Sequence, residues 1–277
     1  MQTEVVMETS LPLPLFKRGK VRDVYDLGDK LLIVSTDRIS AFDVVLPNGI
    51  PFKGEALNRI SNYWFNQTAD IVANHVIDVV DPRSVLVKKS KPIKVEFVVR
   101  GYLYGSLWES YKQGKSTSLP KGLEKAEKLK SPILTPTTKA DTGHDTELSR
   151  EDVSKQIGKS LATEVEEVSL RIYERASDTA ETHGIIIADT KFEFGFSNNE
   201  LMLIDECITP DSSRFWSKEK HRVGQDQFSY DKQCVRDYLV SVGWNKQPPA
   251  PDLPEHVILE TSKKYIEAYE LLTGRDF

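Results

Sequence analysis

The sequence predicts an α+β fold of two lobes. Short alternating apolar patterns, typical of strands, dominate its first half, and long helical patterns surround one apolar strand pair in its second half. A chain of 277 residues can bury a sizeable core, and 39% hydrophobic with 29% charged residues is the composition of a globular protein. We expect a mainly β lobe over residues 1–90 and an α+β lobe with C-terminal helices over residues 91–277.

The elements of the first lobe follow from local patterns. Apolar alternations on both sides of Leu27–Lys30 predict a β-hairpin with a tight turn. Helical spacing predicts a helix over Asn58–Thr68. Two strand-like runs joined by a Lys/Pro segment, within residues 84–103, predict the connection to the second lobe.

The second lobe is predicted to hold three long helical segments. The first begins at Ser149, breaks at Gly158 and ends at Gly184. Two more are predicted over residues 231–244 and 255–274, separated by a Pro-rich loop. The strand pair of residues 185–204 lies between the first helical segment and these two.

Composition excludes several classes of protein. A net charge of -5 and a pI near 5.7 argue against general nucleic-acid binding. Cys207 and Cys234 are too few and too far apart for a disulfide framework or a zinc site, so free thiols in a reducing compartment are predicted. The start lacks the pattern of a signal peptide, and no run approaches the roughly 20 apolar residues that span a bilayer. We expect a cytoplasmic protein without membrane partners.

The stretch Ile185–Asp211 carries a charge at every second position of an otherwise apolar run. Alternate side chains of a strand share a face, so Asp189, Lys191 and Glu193 are predicted to line one face and phenylalanines the other. This alternation is also typical of a plain solvent-facing strand. The flanking isoleucines predict a central strand and favour a functional face.

Asp205 is predicted to lie opposite Glu193 if the hairpin turns at Asn199. Two carboxylates in that position repel each other, and a bound cation would remove the cost. One or two carboxylates, completed by phosphate oxygens and water, are the usual ligands of Mg²⁺ at phosphoryl-transfer sites. Lys191 could hold an anion beside them.

Three further motifs combine glycines, cations and hydroxyls in ways suited to anion binding. They are Gly19-Lys20 with Arg22, Arg100 with Ser106, and Asp211 with Arg214. The first is not a Walker A motif; for the second a turn with a surface ion pair is the alternative, and for the third a plain turn capped by Asp. The polar segment after Thr138 holds Lys139, Asp141, His144 and Asp145, and its lone His is more typical of a surface residue than of a metal ligand.

Six segments, taken in this order, resemble the SAICAR synthetase family over nearly the whole chain. They are GKVRDVYD from Gly19, STDRISAFD from Ser35, KGEALNRIS from Lys53, VEFVVRGYLYGS from Val95, DTKFEFG from Asp189 and DECITPDSSRFW from Asp205. The resemblance implies an ATP-grasp-like fold with ATP held between two lobes. It also implies a ligase that joins L-aspartate to the carboxylate of CAIR, an aminoimidazole ribotide, through an acyl phosphate, with release of ADP and phosphate.

The resemblance also implies roles for individual residues. Lys20 and Arg22 would face the ATP phosphates, and the segment with Lys88 and Glu96 would form the adenine-side hinge. Glu193 and Asp205 would hold Mg²⁺, with Lys191 where the two other substrates meet. CAIR would contact Arg100, Ser106, Asp211 and Arg214, and the substrate pocket would include Asp43, Lys139, Asp141 and Asp145. Asp189 has no role from its motif, and orienting Lys191 is the simplest one.

Two other functions share some of these features. A small-molecule kinase would use the same lysine and carboxylates but would need neither an aspartate site nor the PDSSR loop. A nucleotide-binding regulatory module would be expected to have lost its metal-binding pair, which is intact here. The sequence leaves both a monomer and a homodimer open.

Overall fold

The fold is built on two antiparallel sheets. This computed structural model describes residues 4–115, 119–139 and 146–277. Its strands are β1 Leu15–Arg18, β2 Arg22–Asp26, β3 Lys30–Ser35, β4 Arg38–Ala41, β5 Val44–Gly49, β6 Val76–Asp81, β7 Ser84–Lys88, β8 Lys91–Tyr102, β9 Lys128–Thr138, β10 Ile185–Ser197, β11 Glu200–Ile204 and β12 Ser213–Ser217. The first sheet has the order β1-β2-β3-β7-β6 and the second the order β11-β10-β8-β9, with β12 also paired to β10. β4 and β5 form a separate two-stranded ribbon.

The helices of the described residues surround the second sheet and the ribbon. They are α1 Lys53–Gln67, α2 Gly105–Lys112, α3 Arg150–Ile157, α4 Lys159–Thr182, α5 Gln233–Ser241 and α6 Glu255–Thr273. Ser149 begins α3 with a capping box closed by Asp152, and the predicted break at Gly158 is confirmed. α6 ends at Gly274 in the left-handed conformation, as predicted. None of these helices is both long and apolar enough to cross a membrane.

The core explains why β10 is central. Phe192 and Phe194 point to the same side as Phe97 of β8, and they pack with Val165 and Ile172 of α4. α6 covers α1 and α5 through a second apolar cluster. Because α1 contributes side chains to both clusters, the division into lobes at residue 90 stays a prediction.

The hairpin of β2 and β3 is confirmed, with Asp26 paired to Leu31. The register predicted for β10 and β11 is wrong by one residue, because Glu193 pairs with Ile204 and not with Asp205. Asn198 and Asn199 both have positive φ, at 51° and 62°, which makes a two-residue turn whose centre lies between them. Asp205 therefore lies just beyond the end of β11.

His75 is a buried titratable group beside that strand end. It is 3% exposed, its backbone N–H donates to the Leu203 carbonyl at 3.1 Å, and its ring contacts Phe65. Its Nε2 has no hydrogen-bond partner among the described residues. Burial lowers the pKa of His75 to about 4, so the ring is neutral at pH 7.

We expect His75 to make the protein less stable on acidification. The pKa of an unfolded histidine is near 6.5. Between about pH 6.5 and 4, the unfolded chain therefore binds a proton at this histidine that the folded chain does not bind. Stability that is complete above the unfolded pKa is then lost as the pH falls. Urea unfolding at pH 7 and 4.5 should show a loss about 2 kcal/mol larger in the wild type than in His75→Gln. The exposed His256→Gln should behave like the wild type, and parallel losses in all three proteins would contradict the assignment.

Candidate active site

One face of β10 carries three charged side chains that all find partners, as the alternating pattern predicts. Asp189 and Glu193 are 5% and 4% exposed, so they are not on an ordinary solvent-facing strand. Strand β8 pairs with β10 and supplies Glu96 and Arg100 beside these charges. The face therefore has two ends, one around Glu193 and one around Asp189.

The Glu193 end is a cluster of lysines and carboxylates. Lys191 Nζ lies 2.8 Å from Glu96 Oε1 and 3.0 Å from Glu193 Oε1, and Lys139 also pairs with Glu193. Arg22 Nη2 lies 2.7 Å from Asp205 Oδ1. The cluster thus joins the first sheet, both sides of the β10–β11 hairpin and the end of β9.

Electrostatics keep Arg22, Lys191 and Asp205 ionised. Burial opposes the charge of Arg22, but Asp205 and Glu206 outweigh it and raise the pKa of Arg22. Burial likewise disfavours the charged form of Lys191, yet Glu193, Asp205 and Glu96 raise the pKa of that lysine well above its usual value. Burial would raise the pKa of Asp205, and Arg22 with Lys191 lowers it instead. Lys191 is therefore an electrostatic group and not a general base at neutral pH.

The carboxylates fit a cation that substrate oxygens help to bind. No group of three or more His, Cys, Asp or Glu side chains able to hold a metal alone occurs in residues 4–115, 119–139 and 146–277. Glu193 and Asp205 offer hard oxygen donors beside Lys191, which suits Mg²⁺ completed by phosphate and water. Both carboxylates lie against cationic side chains, Glu193 against Lys191 and Asp205 against Arg22.

The Asp189 end brings together two arginines. Arg214 Nη1 lies 2.5 Å from Asp189 Oδ2, and Arg100 Nη1 lies 3.6 Å from the same oxygen. Arg100 also donates from Nη2 to Ser106 Oγ at 3.1 Å. This contradicts the prediction that Asp189 orients Lys191, because its partners are the arginines. The side chain serves to hold two guanidinium groups side by side.

The start of α2 completes the Asp189 end. No side chain caps this helix, so its first backbone N–H groups remain available to an anion. Gly105 has φ 60°, and a Cβ on it would lie 2.7 Å from Arg214 Nη2. The left-handed backbone therefore favours glycine here, and a methyl group on it would displace the guanidinium of Arg214. This end of the face can bind an oxyanion, because it offers two guanidinium groups, the hydroxyl of Ser106 and the free N–H groups of a helix start.

The other predicted site residues lie outside these two ends of β10 or have different partners from those expected. Lys20 pairs with Asp43 at 2.7 Å, and both side chains are 53% exposed. Lys88 lies exposed at the end of β7. Glu96 contacts Lys191, which favours a role beside the reacting groups over the adenine-side hinge that the resemblance implies. Asp141 and Asp145 lie outside the described residues.

The carboxylate of Asp211 forms an ion pair and a hydrogen bond with other side chains of the protein. Lys53 Nζ lies 2.7 Å from Asp211 Oδ2, and Tyr265 donates its hydroxyl to Oδ1 at 3.0 Å. The Asp211 side chain is 5% exposed. This favours a supporting role over the direct CAIR contact that the resemblance implies. Sequence reasoning missed Lys53 and Tyr265 as its partners, although Lys53 opens one of the six motifs.

Comparison with known proteins identifies the family of the chain. A profile described as SAICAR synthetase matches residues 15–251. The chain belongs to the SAICAR synthetase family. It is therefore a ligase of purine biosynthesis from an ATP-using family, and its two-sheet α+β architecture is the ATP-grasp-like fold of SAICAR synthetases.

Individual SAICAR synthetases cover the chain almost completely. The phosphoribosylaminoimidazole-succinocarboxamide synthase of Thermodesulfovibrio yellowstonii is 52% identical, over 98% of this chain and 99% of the relative. The solved SAICAR synthase of Saccharomyces cerevisiae, complexed with SAICAR, has 40% identity and a TM-score of 0.89 over 98% of this chain and 99% of that one. A type-2 SAICAR synthetase in complex with ADP has 26% identity and a TM-score of 0.74, covering 94% and 98%.

Proposed function

We propose that the protein joins L-aspartate to the carboxylate of CAIR and forms SAICAR, ADP and phosphate. The observation that carries this proposal is the single face of β10, which connects a lysine–carboxylate cluster at Glu193 to an arginine site at Asp189. Four residues separate these ends, or roughly 13 Å at 3.3 Å per residue. A ribotide with its phosphate at one end and its carboxylate at the other suits that separation.

The reaction must first make the carboxylate of CAIR reactive. A carboxylate oxygen attacks the γ-phosphorus of ATP, the bond to the β-phosphate oxygen breaks, and ADP leaves. The amine of aspartate then attacks the acyl carbon, the bond from that carbon to the phosphate breaks, and the nitrogen loses a proton as the amide forms. Both steps gather anionic oxygens in one place, so catalysis depends on positioning and on charge neutralisation.

The residues of the Glu193 end suit that task. Lys20 and Arg22 are proposed to face the ATP phosphates, and Glu193 with Asp205 to hold Mg²⁺, which would withdraw negative charge from the transferring phosphate. Lys191 stays protonated between its carboxylates and would neutralise the acyl phosphate. Glu96 would keep Lys191 in place.

The remaining roles follow from proximity. Arg100, Ser106, Arg214 and the start of α2 are proposed to bind the phosphate of CAIR. Lys139 contacts Glu193 and would lie beside the carboxylate of CAIR or of aspartate. Asp43, Asp141 and Asp145 are proposed members of the same pocket, and the pairing of Asp43 with Lys20 supports a position on the ATP side.

The experiment that tests this function measures ADP release with CAIR, L-aspartate and Mg-ATP together and with each one omitted. Turnover should require all three, and SAICAR should form in a 1:1 ratio to ADP. Full ADP release without aspartate would indicate a kinase. The absence of any turnover in the complete mixture would reject the ligase assignment.

Gly105→Ala should weaken CAIR binding by more than its loss of folding stability would explain. The new methyl group needs a left-handed backbone, at a cost of about 1 kcal/mol, and it collides with Arg214. We expect the KM for CAIR to rise at least about tenfold, because a guanidinium displaced by an ångström loses its bond to phosphate. Gly114→Ala is the matched control, since Gly114 also has positive φ but no atom of the described residues beyond its chain neighbours lies within 4 Å of its Cβ position. Equal KM values for CAIR in the two variants would show that the contact between residue 105 and Arg214 does not affect CAIR binding.

A further inference from the structure

Arg38 is a buried cation that the proposed mechanism does not use. It begins β4, its side chain is 7% exposed, and its Nη2 lies 2.8 Å from Asp23 Oδ1. The Asp23 side chain on β2 is fully buried. Burial would raise the pKa of Asp23, but hydrogen bonds from Arg38 and Thr9 lower it instead. The two charges therefore form an ion pair inside the protein.

The guanidinium of Arg38 also binds the backbone between β1 and β2. Its Nε donates to the carbonyl of Lys20 and its Nη2 to the carbonyl of Gly19, each at 3.0 Å. Its Nη1 donates to the carbonyl of Met7. One guanidinium can serve so many acceptors because its N–H groups diverge in fixed directions. Arg38 thus holds two consecutive peptide groups of the segment that carries Lys20.

The N-terminal segment covers the other side of this ion pair. The backbone N–H and the hydroxyl of Thr9 both donate to Asp23 Oδ2 at 2.8 Å. Val6 donates its N–H to Asp37 Oδ2 at 2.9 Å and accepts the N–H of Asp37 at 2.8 Å. Protein groups therefore enclose the guanidinium of Arg38, and any effect of Arg38 on a ligand has to pass through them.

The two bound carbonyls set the direction of the groups around them. A trans peptide holds its C=O and N–H on opposite sides, so the N–H groups of Lys20 and Val21 point away from Arg38. Both peptide groups that flank the Cα of Lys20 are held, which fixes the direction in which its side chain leaves the backbone. The next carbonyl, of Val21, accepts the N–H and the hydroxyl of Thr36 at 3.0 and 2.8 Å. Consecutive N–H groups turned away from held carbonyls suit phosphate oxygens.

We propose that Arg38 is a positioning residue for ATP, which acts through the backbone of Gly19 and Lys20 and not by contact with the nucleotide. The inference rests on the proposed function, in which Lys20 faces the ATP phosphates. With Arg38 in place, the segment is ordered before the nucleotide arrives. Without it, the carbonyls of Gly19 and Lys20 lose their donors, and binding has to order the segment and turn these oxygens away from the phosphates.

Binding of MgADP to Arg38→Lys, measured by isothermal titration calorimetry, tests this role. Lysine keeps the charge beside Asp23, but its ammonium is a single point and cannot serve the carboxylate and both carbonyls. We expect the dissociation constant of MgADP to rise at least about tenfold, because the bonds that hold the segment are lost or weakened. The KM for ATP should rise by a similar factor, and the KM values for CAIR and aspartate by less than about threefold. Arg38→Gln, which carries no charge, should show the same pattern.

Adenosine separates positioning of the phosphates from a general loss of structure. It has no phosphates, so its affinity should change less than about threefold in Arg38→Lys and Arg38→Gln. Arg83→Lys is the matched control, because Arg83 makes the neighbouring ion pair, with Nη1 2.8 Å from Oδ1 of the buried Asp37. Its affinity for MgADP should stay within about threefold of the wild type.

Two results would overturn the proposal. One is wild-type affinity for MgADP in either folded variant of Arg38. The other is an equal loss for MgADP and adenosine, which would show that Arg38 only maintains the structure of the first sheet. A wild type that turns over no CAIR, but binds MgADP in a way that depends on Arg38, would reject the proposed function and keep the role of Arg38.

Discussion

Glu193→Gln should lower kcat by at least about a thousandfold at saturating substrates, because the neutral amide binds Mg²⁺ far more weakly than a carboxylate. The substitution keeps the shape of a side chain that is 4% exposed. It also keeps the fold, because Lys191 retains Glu96 at 2.8 Å when its contact with Glu193 is weakened. The loss should therefore appear in turnover and not in the far-UV circular dichroism spectrum.

The control for this variant is Glu200→Gln. Glu200 is exposed and lies on the strand paired with β10, next to the turn, so the same chemical change is made outside the cluster. Its kcat and the dependence of its rate on Mg²⁺ concentration should match the wild type. Near-normal turnover in Glu193→Gln, or a wild-type response to Mg²⁺, would remove Glu193 from the metal site.

Local patterns were enough to predict the charged face of β10 and the grouping of Lys191 with Glu193 at one of its ends. The alternation of DTKFEFG places Lys191 and Glu193 together, because a strand allows no other arrangement of alternate side chains. The register to β11 was less predictable. It depended on whether the turn was centred on Asn199 or between Asn198 and Asn199, and the backbone conformation of two asparagines decided it.

Contacts between segments far apart in the sequence could not be predicted from the spacing of residues along the chain. Lys53, Asp211, Lys232 and Tyr265 come from four separate elements, and only packing of α6 against α1 and α5 brings them together. Asp189 is similar, since its two arginines come from β8 on one side and β12 on the other. Such charges can be recognised in the sequence as unusual for a buried strand, but their partners depend on the sheet order.

Removal of the Asp189 carboxylate should cost considerable stability. It is the shared carboxylate of Arg100 and Arg214, and all three side chains are at most 23% exposed. Removing one member of a buried ion pair leaves an uncompensated charge and typically costs about 3–5 kcal/mol. Arg100 keeps its bonds to Thr135 and Ser106, which supply hydrogen-bond acceptors but no negative charge.

Asp189→Asn should therefore lower the free energy of unfolding by about 3 kcal/mol without ligand, as measured by urea denaturation. Asp252→Asn, at an exposed position, should change it by less than about 0.5 kcal/mol. If the arginines receive the phosphate of CAIR, inorganic phosphate should restore more stability to Asp189→Asn than it adds to the wild type, because it replaces the missing charge. A variant as stable as the wild type would show that Asp189 does not hold the arginines. Equal phosphate effects in the two proteins would place the phosphate of CAIR elsewhere.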